Sequence, residues 1–184
     1  MYNCALAGTE KAWGPEHTST LDTVNNLGIL YRRQGHLEDA EIMYNHALAG
    51  KEKAWGPEHA STLDTVNNLG NLYASKGHLE DAERMYNRAL AGFEKAWGPE
   101  HTSTLGTVNN LGLLYANQGH LEDAERMYNR ALAGYIKALG PEHPSTCHTA
   151  NNLKKLHALQ GHQNATWNIA KGDCFFILNF LIHD

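Results

Sequence analysis

Cysteine is scarce in this chain: Cys4, Cys147 and Cys174 are the only three among 184 residues, and no CxxC pair occurs. An odd, scattered set argues against a disulfide framework and fits a reducing compartment. Charge of one sign is also lacking. The formal net charge is −5, so no general attraction to nucleic acid or anionic lipid is expected. Long apolar runs are missing as well. The longest, 174–182, is interrupted by Asn179 and falls short of the roughly 20 residues that span a bilayer. The opening residues lack the basic start and apolar run of a signal peptide. No Gly-rich phosphate loop and no nucleophile motif is present. These gaps predict a cytoplasmic, non-catalytic protein that uses no cofactor or metal and binds neither membrane nor nucleic acid.

What is abundant is repetition. The block Trp13-Gly14-Pro15-Glu16-His17 returns at 55–59, at 97–101 and, with Leu139 for tryptophan, at 139–143. Residues 18–59 and 60–101 match at 34 of 42 positions, and so do 60–101 and 102–143. A period in this range marks a stack of supersecondary units that bury their apolar faces only against neighbours.

Within one copy, Leu21, Val24, Leu27, Gly28 and Tyr31 recur at helical spacing. Gly35 follows where a left-handed cap is expected. A second stripe runs through Leu37, Ala40, Met43, Tyr44, Ala47 and Leu48 and continues to Trp55. Glu38 and Asp39 open that helix, where they suit its dipole. Gly56-Pro57 ends it, because proline cannot continue the hydrogen-bond ladder. Each copy is therefore a helical hairpin with a long second helix, and the fold class is an all-α solenoid.

Leu27-Gly28, Tyr31, Ala40, Tyr44 and Ala47 fall at the spacings of the tetratricopeptide repeat, whose usual period is about 34. With the longer period and Asn25-Asn26-Leu27 in the first helix, the chain resembles the kinesin-light-chain type of that family. It is also similar to the near-identical arrays of fungal NOD-like receptor proteins. The resemblance covers about residues 1–162. It implies a right-handed solenoid of antiparallel hairpins whose first helices line a concave groove, and a protein or peptide as partner.

The repeat predicts a truncated leading copy at 1–17, full copies at 18–59, 60–101 and 102–143, a degenerate fourth at 144–171 and an apolar tail at 172–184. The chain starts in mid-repeat, and beyond His162 the match is lost. Both features are expected of a segment of a longer protein; the competing reading makes the tail a cap over the last helix. Open solenoid ends also allow self-association, so a structural segment of a larger protein is the alternative function.

Eight of twelve histidines belong to the repeat. Equivalent residues should lie about 8–10 Å apart, too far for one metal ion, so loop packing or capping is expected. The recurring Glu38, Asp39 and Glu41 read as a structural device. Trp13, Trp55 and Trp97 read as packing between repeats.

The asparagine pairs are the main binding candidates. Asparagine is costly inside a helix, and its amide both donates and accepts. By resemblance, Asn25, Asn67, Asn109 and Asn151 would form a ladder along the groove and hold a peptide backbone. The other reading has the pairs only tying helices together. Specificity is expected from groove positions that differ between copies: Ile29, Arg32, Arg33, Asn71, Ser75, Leu113 and Asn117. Arg32 and Arg33 suggest an acidic feature in the ligand, and Asp22 and Asp64 are expected to add negative charge nearby.

Overall fold

The computed structural model describes residue 8 and residues 11–159 of the chain. The expected half-repeat at 1–7 and everything from 160 onward, including the tail, lie outside the described residues. Among residues 18–159 the helices are, in order, α1 Thr18–Arg33, α2 Leu37–Trp55, α3 Ala60–Lys76, α4 Leu79–Trp97, α5 Thr102–Gln118, α6 Leu121–Leu139 and α7 Pro144–Leu159. They alternate between a first and a longer second helix, as the two stripes predict.

Two compact units divide the chain, Met1–Ala96 and Trp97–Asp184. In the first, Ala40, Tyr44, Leu69 and Leu72 form one cluster, and Leu63, Val66, Ala89 and Phe93 another. The second unit is built around Ala124, Tyr128, Leu132, Ala150, Leu153 and Leu156. Each large side chain so buried contributes about 1.5–3 kcal/mol relative to exposure.

Each hairpin closes because two glycines let its helices touch. A Cβ on Gly28 would lie 2.7 Å from the Tyr44 ring, and one on Gly50 would lie 2.4 Å from Leu21. The same pairs recur as Gly70 with Tyr86 and Gly92 with Leu63, and as Gly112 with Tyr128 and Gly134 with Leu105. The tyrosine ring and the glycine it covers are thus read together from sequence and packed together in space.

The turn inside each hairpin is a left-handed helix cap. Gly35 has φ 82°; its N–H donates to the Arg32 carbonyl at 3.1 Å, and the His36 N–H donates to the Tyr31 carbonyl at 2.9 Å. His36 then stacks on Tyr31, with ring centroids 6.2 Å apart.

The loop between hairpins has its own device. His59 caps α3, its Nδ1 accepting from the Ser61 N–H at 3.2 Å, and Thr62 Oγ1 donates to the Gly56 carbonyl at 2.9 Å. His17, His101 and His143 cap α1, α5 and α7 in the same way. The tryptophans differ from expectation. Trp13 and Trp97 are 57% and 41% exposed; Trp13 stacks on the capping His17, and the Trp97 ring lies tilted against the capping His101.

Candidate functional site: the first-helix face

The candidate residues all stand on the first helices of the hairpins, α1, α3, α5 and α7. Their placement follows from the apolar stripe, which turns Leu21, Val24 and Leu27 inward and leaves other positions at the seam with the next hairpin or in solvent.

The asparagines bridge neighbouring first helices. Asn25 is 8% exposed, and its Oδ1 accepts from Asn68 Nδ2 at 3.2 Å. Asn109 is 9% exposed, and its Oδ1 accepts from Asn152 Nδ2 at 3.3 Å and from Thr149 Oγ1 at 3.2 Å. The first asparagine of one pair thus accepts from the second of the next. Each of these Oδ1 atoms is engaged at a seam between first helices. Asn67 is half-buried, and Asn151 is exposed.

Position 29 and its equivalents behave differently in each copy. Asn71 Oδ1 accepts from the buried Tyr86 hydroxyl at 2.9 Å. Ile29 stands there in the first copy and packs against the core, so the equivalent Tyr44 hydroxyl is buried with no hydrogen-bond partner. Burial raises the Tyr44 phenol above its usual range, and the nearby Arg32 guanidinium partly offsets this without reaching hydrogen-bond geometry. Burial likewise pushes the Tyr86 phenol strongly up and Tyr128 up to about 12. In the third copy Leu113 faces outward, 48% exposed.

Arg32 is half-buried near the Tyr44 and Tyr86 hydroxyls, whereas Arg33, Ser75 and Asn117 are exposed. Ser75 Oγ donates to the Asn71 carbonyl at 2.8 Å, a local helix bond. Asp22 does not act as an independent negative charge. It pairs with Lys51 Nζ at 2.8 Å and accepts from Ser61 Oγ at 3.3 Å.

The acidic turn residues serve the helix seams. Glu41 accepts from Lys76 Nζ at 2.7 Å and from the Tyr73 hydroxyl at 3.3 Å. The Lys76 hydrogen bond holds its carboxyl below the usual range despite partial burial. In the second unit His157 occupies the position of Tyr73 and keeps the contact, with Nε2 3.0 Å from Glu125 Oε1. The loop glutamates recur as exposed ion pairs, Glu16 with Lys53 at 2.6 Å and Glu58 with Lys95 at 2.5 Å. Among the described residues no group of His, Cys, Asp or Glu is arranged to hold a metal, and no helix is long and apolar enough to cross a membrane.

The capping expected of the loop histidines is present, whereas sequence reading missed Lys51 and the Glu41 bridge. A signal existed for the first: Lys51 aligns with Phe93 and Tyr135, which marks a core position.

Paired helices of 16 to 19 residues, glycine-mediated hairpin contacts and an asparagine seam found within each unit define a helical-hairpin repeat scaffold. Models of the tetratricopeptide repeat match residues 1–53, 62–103 and 104–145, and the chain belongs to that family. Solved structures agree. BtubC (BKLC) from P. vanneervenii is similar at 26% identity and a TM-score of 0.70; the match covers 77% of this chain and 57% of BtubC. The nearly identical TPR-like repeats of Podosopora anserina, assigned to a kinesin light chain, share the fold at 22% identity and a TM-score of 0.71, covering 100% of this chain and 86% of theirs. A single-substitution variant of those repeats is similar at 22% identity and a TM-score of 0.70, with 98% and 81% covered. No curated protein matches. Tetratricopeptide repeats mediate protein–protein interaction, and the kinesin-light-chain-like fold is typically a non-catalytic scaffold.

Proposed function

We propose that the chain is an interaction scaffold that holds an extended peptide along its first-helix face. Buried asparagine oxygens keep neighbouring first helices in register, while Asn25 and Asn109 Nδ2, with Asn67 and Asn151, donate to the peptide backbone. Such contacts fix a strand of any sequence, and neighbouring side chains then select among sequences.

The observation that carries the reading is the division of variable positions. Leu113, Arg33, Ser75 and Asn117 differ between copies and reach solvent. Arg33, beside Arg32, favours a ligand with an acidic residue, and Leu113 offers an apolar contact. Asp22 has no part in selection, because Lys51 already neutralises it.

A peptide array tests this. The full chain is expected to retain a subset enriched in acidic residues, and Arg33→Glu to lose that enrichment while keeping its helix content by circular dichroism. An unchanged selection would remove Arg33 from the site; no selection by the native chain would remove the groove.

A further inference from the structure

Across residues 18–143, only one position that differs between copies is buried in every copy. It holds Lys51, Phe93 and Tyr135, which are 2%, 1% and 7% exposed. Around it the three cores are nearly the same sequence, yet the first copy buries a lysine where the others bury an aromatic ring. We infer that this position is a register key, which keeps the second helix of the first hairpin from docking in place of the third's.

The need follows from the repetition. Helices that match at most positions can dock on the wrong partner or exchange between chains, the characteristic failure of repeat proteins. A buried polar group resists this, because it is tolerated only where its partner waits.

Lys51 finds that partner on both sides of its seat. Its ammonium lies 2.8 Å from Asp22 Oδ1, on the first helix of its own hairpin, and donates to the Ser61 carbonyl of the next hairpin at 3.3 Å. Ser61 Oγ closes the triangle by donating to Asp22 at 3.3 Å.

In the second copy Phe93 packs in an apolar cluster with Leu63, Val66 and Ala89. In the third, Gly106 replaces the aspartate. A Cβ there would touch Tyr135 Oη at 3.4 Å, so the hydroxyl occupies space into which the aspartates extend elsewhere. It donates instead to the Thr102 carbonyl at 3.4 Å. A helix carrying Lys51 therefore fits against Asp22 or Asp64 but is refused at Gly106, where its charge would be buried without a carboxylate. The aspartate-to-glycine change and the lysine-to-tyrosine change are two halves of one address.

Refolding of the full chain tests the key. The native chain, Lys51→Phe, Asp22→Gly and the double variant would be refolded from urea at several concentrations, then sized by chromatography with light scattering. Exchanging a buried ion pair for apolar packing is often neutral or stabilising. Lys51→Phe is therefore expected to keep its helix content and unfolding midpoint, yet lose the native size profile to heavier, exchanged species that grow with concentration. Asp22→Gly is expected to lower the midpoint by stranding Lys51, and the double variant to restore it. A Lys51→Phe chain that refolds to the native profile at every concentration would overturn the inference. So would an Asp22→Gly chain with an unchanged midpoint, since the charge would then discriminate nothing.

Discussion

Asn109 Oδ1 receives two hydrogen bonds from the next first helix, one from Asn152 Nδ2 at 3.3 Å and one from Thr149 Oγ1 at 3.2 Å. One side chain thus fastens α5 to α7 at a nearly closed seam. Asn109→Ala removes the acceptor of Asn152 Nδ2, while Thr149 Oγ1 keeps the Ser145 carbonyl at 3.0 Å, and a donor so orphaned costs about 1–3 kcal/mol. Urea denaturation followed by circular dichroism should show a lowered midpoint, with a drop larger than that for exposed Asn151→Ala.

Gly70→Ala and Gly106→Ala should move stability in opposite directions. Both glycines lie inside first helices, where alanine is favoured by about 0.5–1 kcal/mol. At Gly70 a Cβ would stand 2.6 Å from the buried Tyr86 ring, and overpacking of that kind costs about 1–3 kcal/mol. At Gly106 the nearest atom is Tyr135 Oη at 3.4 Å, an ordinary contact. Thermal unfolding should give a lower Tm for Gly70→Ala and an equal or higher one for Gly106→Ala.

The capping histidines can be tested without changing the core. His59→Ala removes the acceptor for the Ser61 N–H and should cost about 1 kcal/mol, whereas His59→Asn should retain most of that stability. Equal losses in the two variants would show that the ring stack on Trp55 matters and the cap does not.

Acid should weaken the seam between α2 and α3. The Glu41 carboxyl is held below its ordinary value of 4.5, chiefly by the Lys76 hydrogen bond. A depressed carboxyl stabilises the fold above its unfolded value and loses that contribution as pH falls through the folded one. The Tm difference between the native chain and Glu41→Gln should therefore be greatest near neutral pH and shrink below about pH 4.5.

Much of the fold was legible because the repeat writes its signals several times over. The Leu21 and Tyr44 stripes, the Gly35 cap and the Gly56-Pro57 stop each predict an element that is present. The candidate site was legible only as positions. Ile29, Asn71 and Leu113 align with one another, yet one packs inward, one binds a buried hydroxyl and one faces solvent. Neighbours on other helices decide among these, and spacing along one helix cannot. Asp22 shows the same limit, since its partner Lys51 lies on the facing helix. Trp13 misled for another reason: apolar character suggests burial, but stacking on His17 leaves the ring more than half exposed.

The central claim is that a peptide lies on the first helices, and site-directed photo-crosslinking tests it most directly. A photoreactive residue would be placed at exposed position 113 on α5 or, as a control, at exposed position 42 on the second helix α2. Each protein would be irradiated with a labelled peptide recovered from the array. The account predicts strong labelling from position 113, little from 42, and loss of the label when unlabelled peptide is added in excess. Competable labelling from position 42 with none from 113 would contradict it.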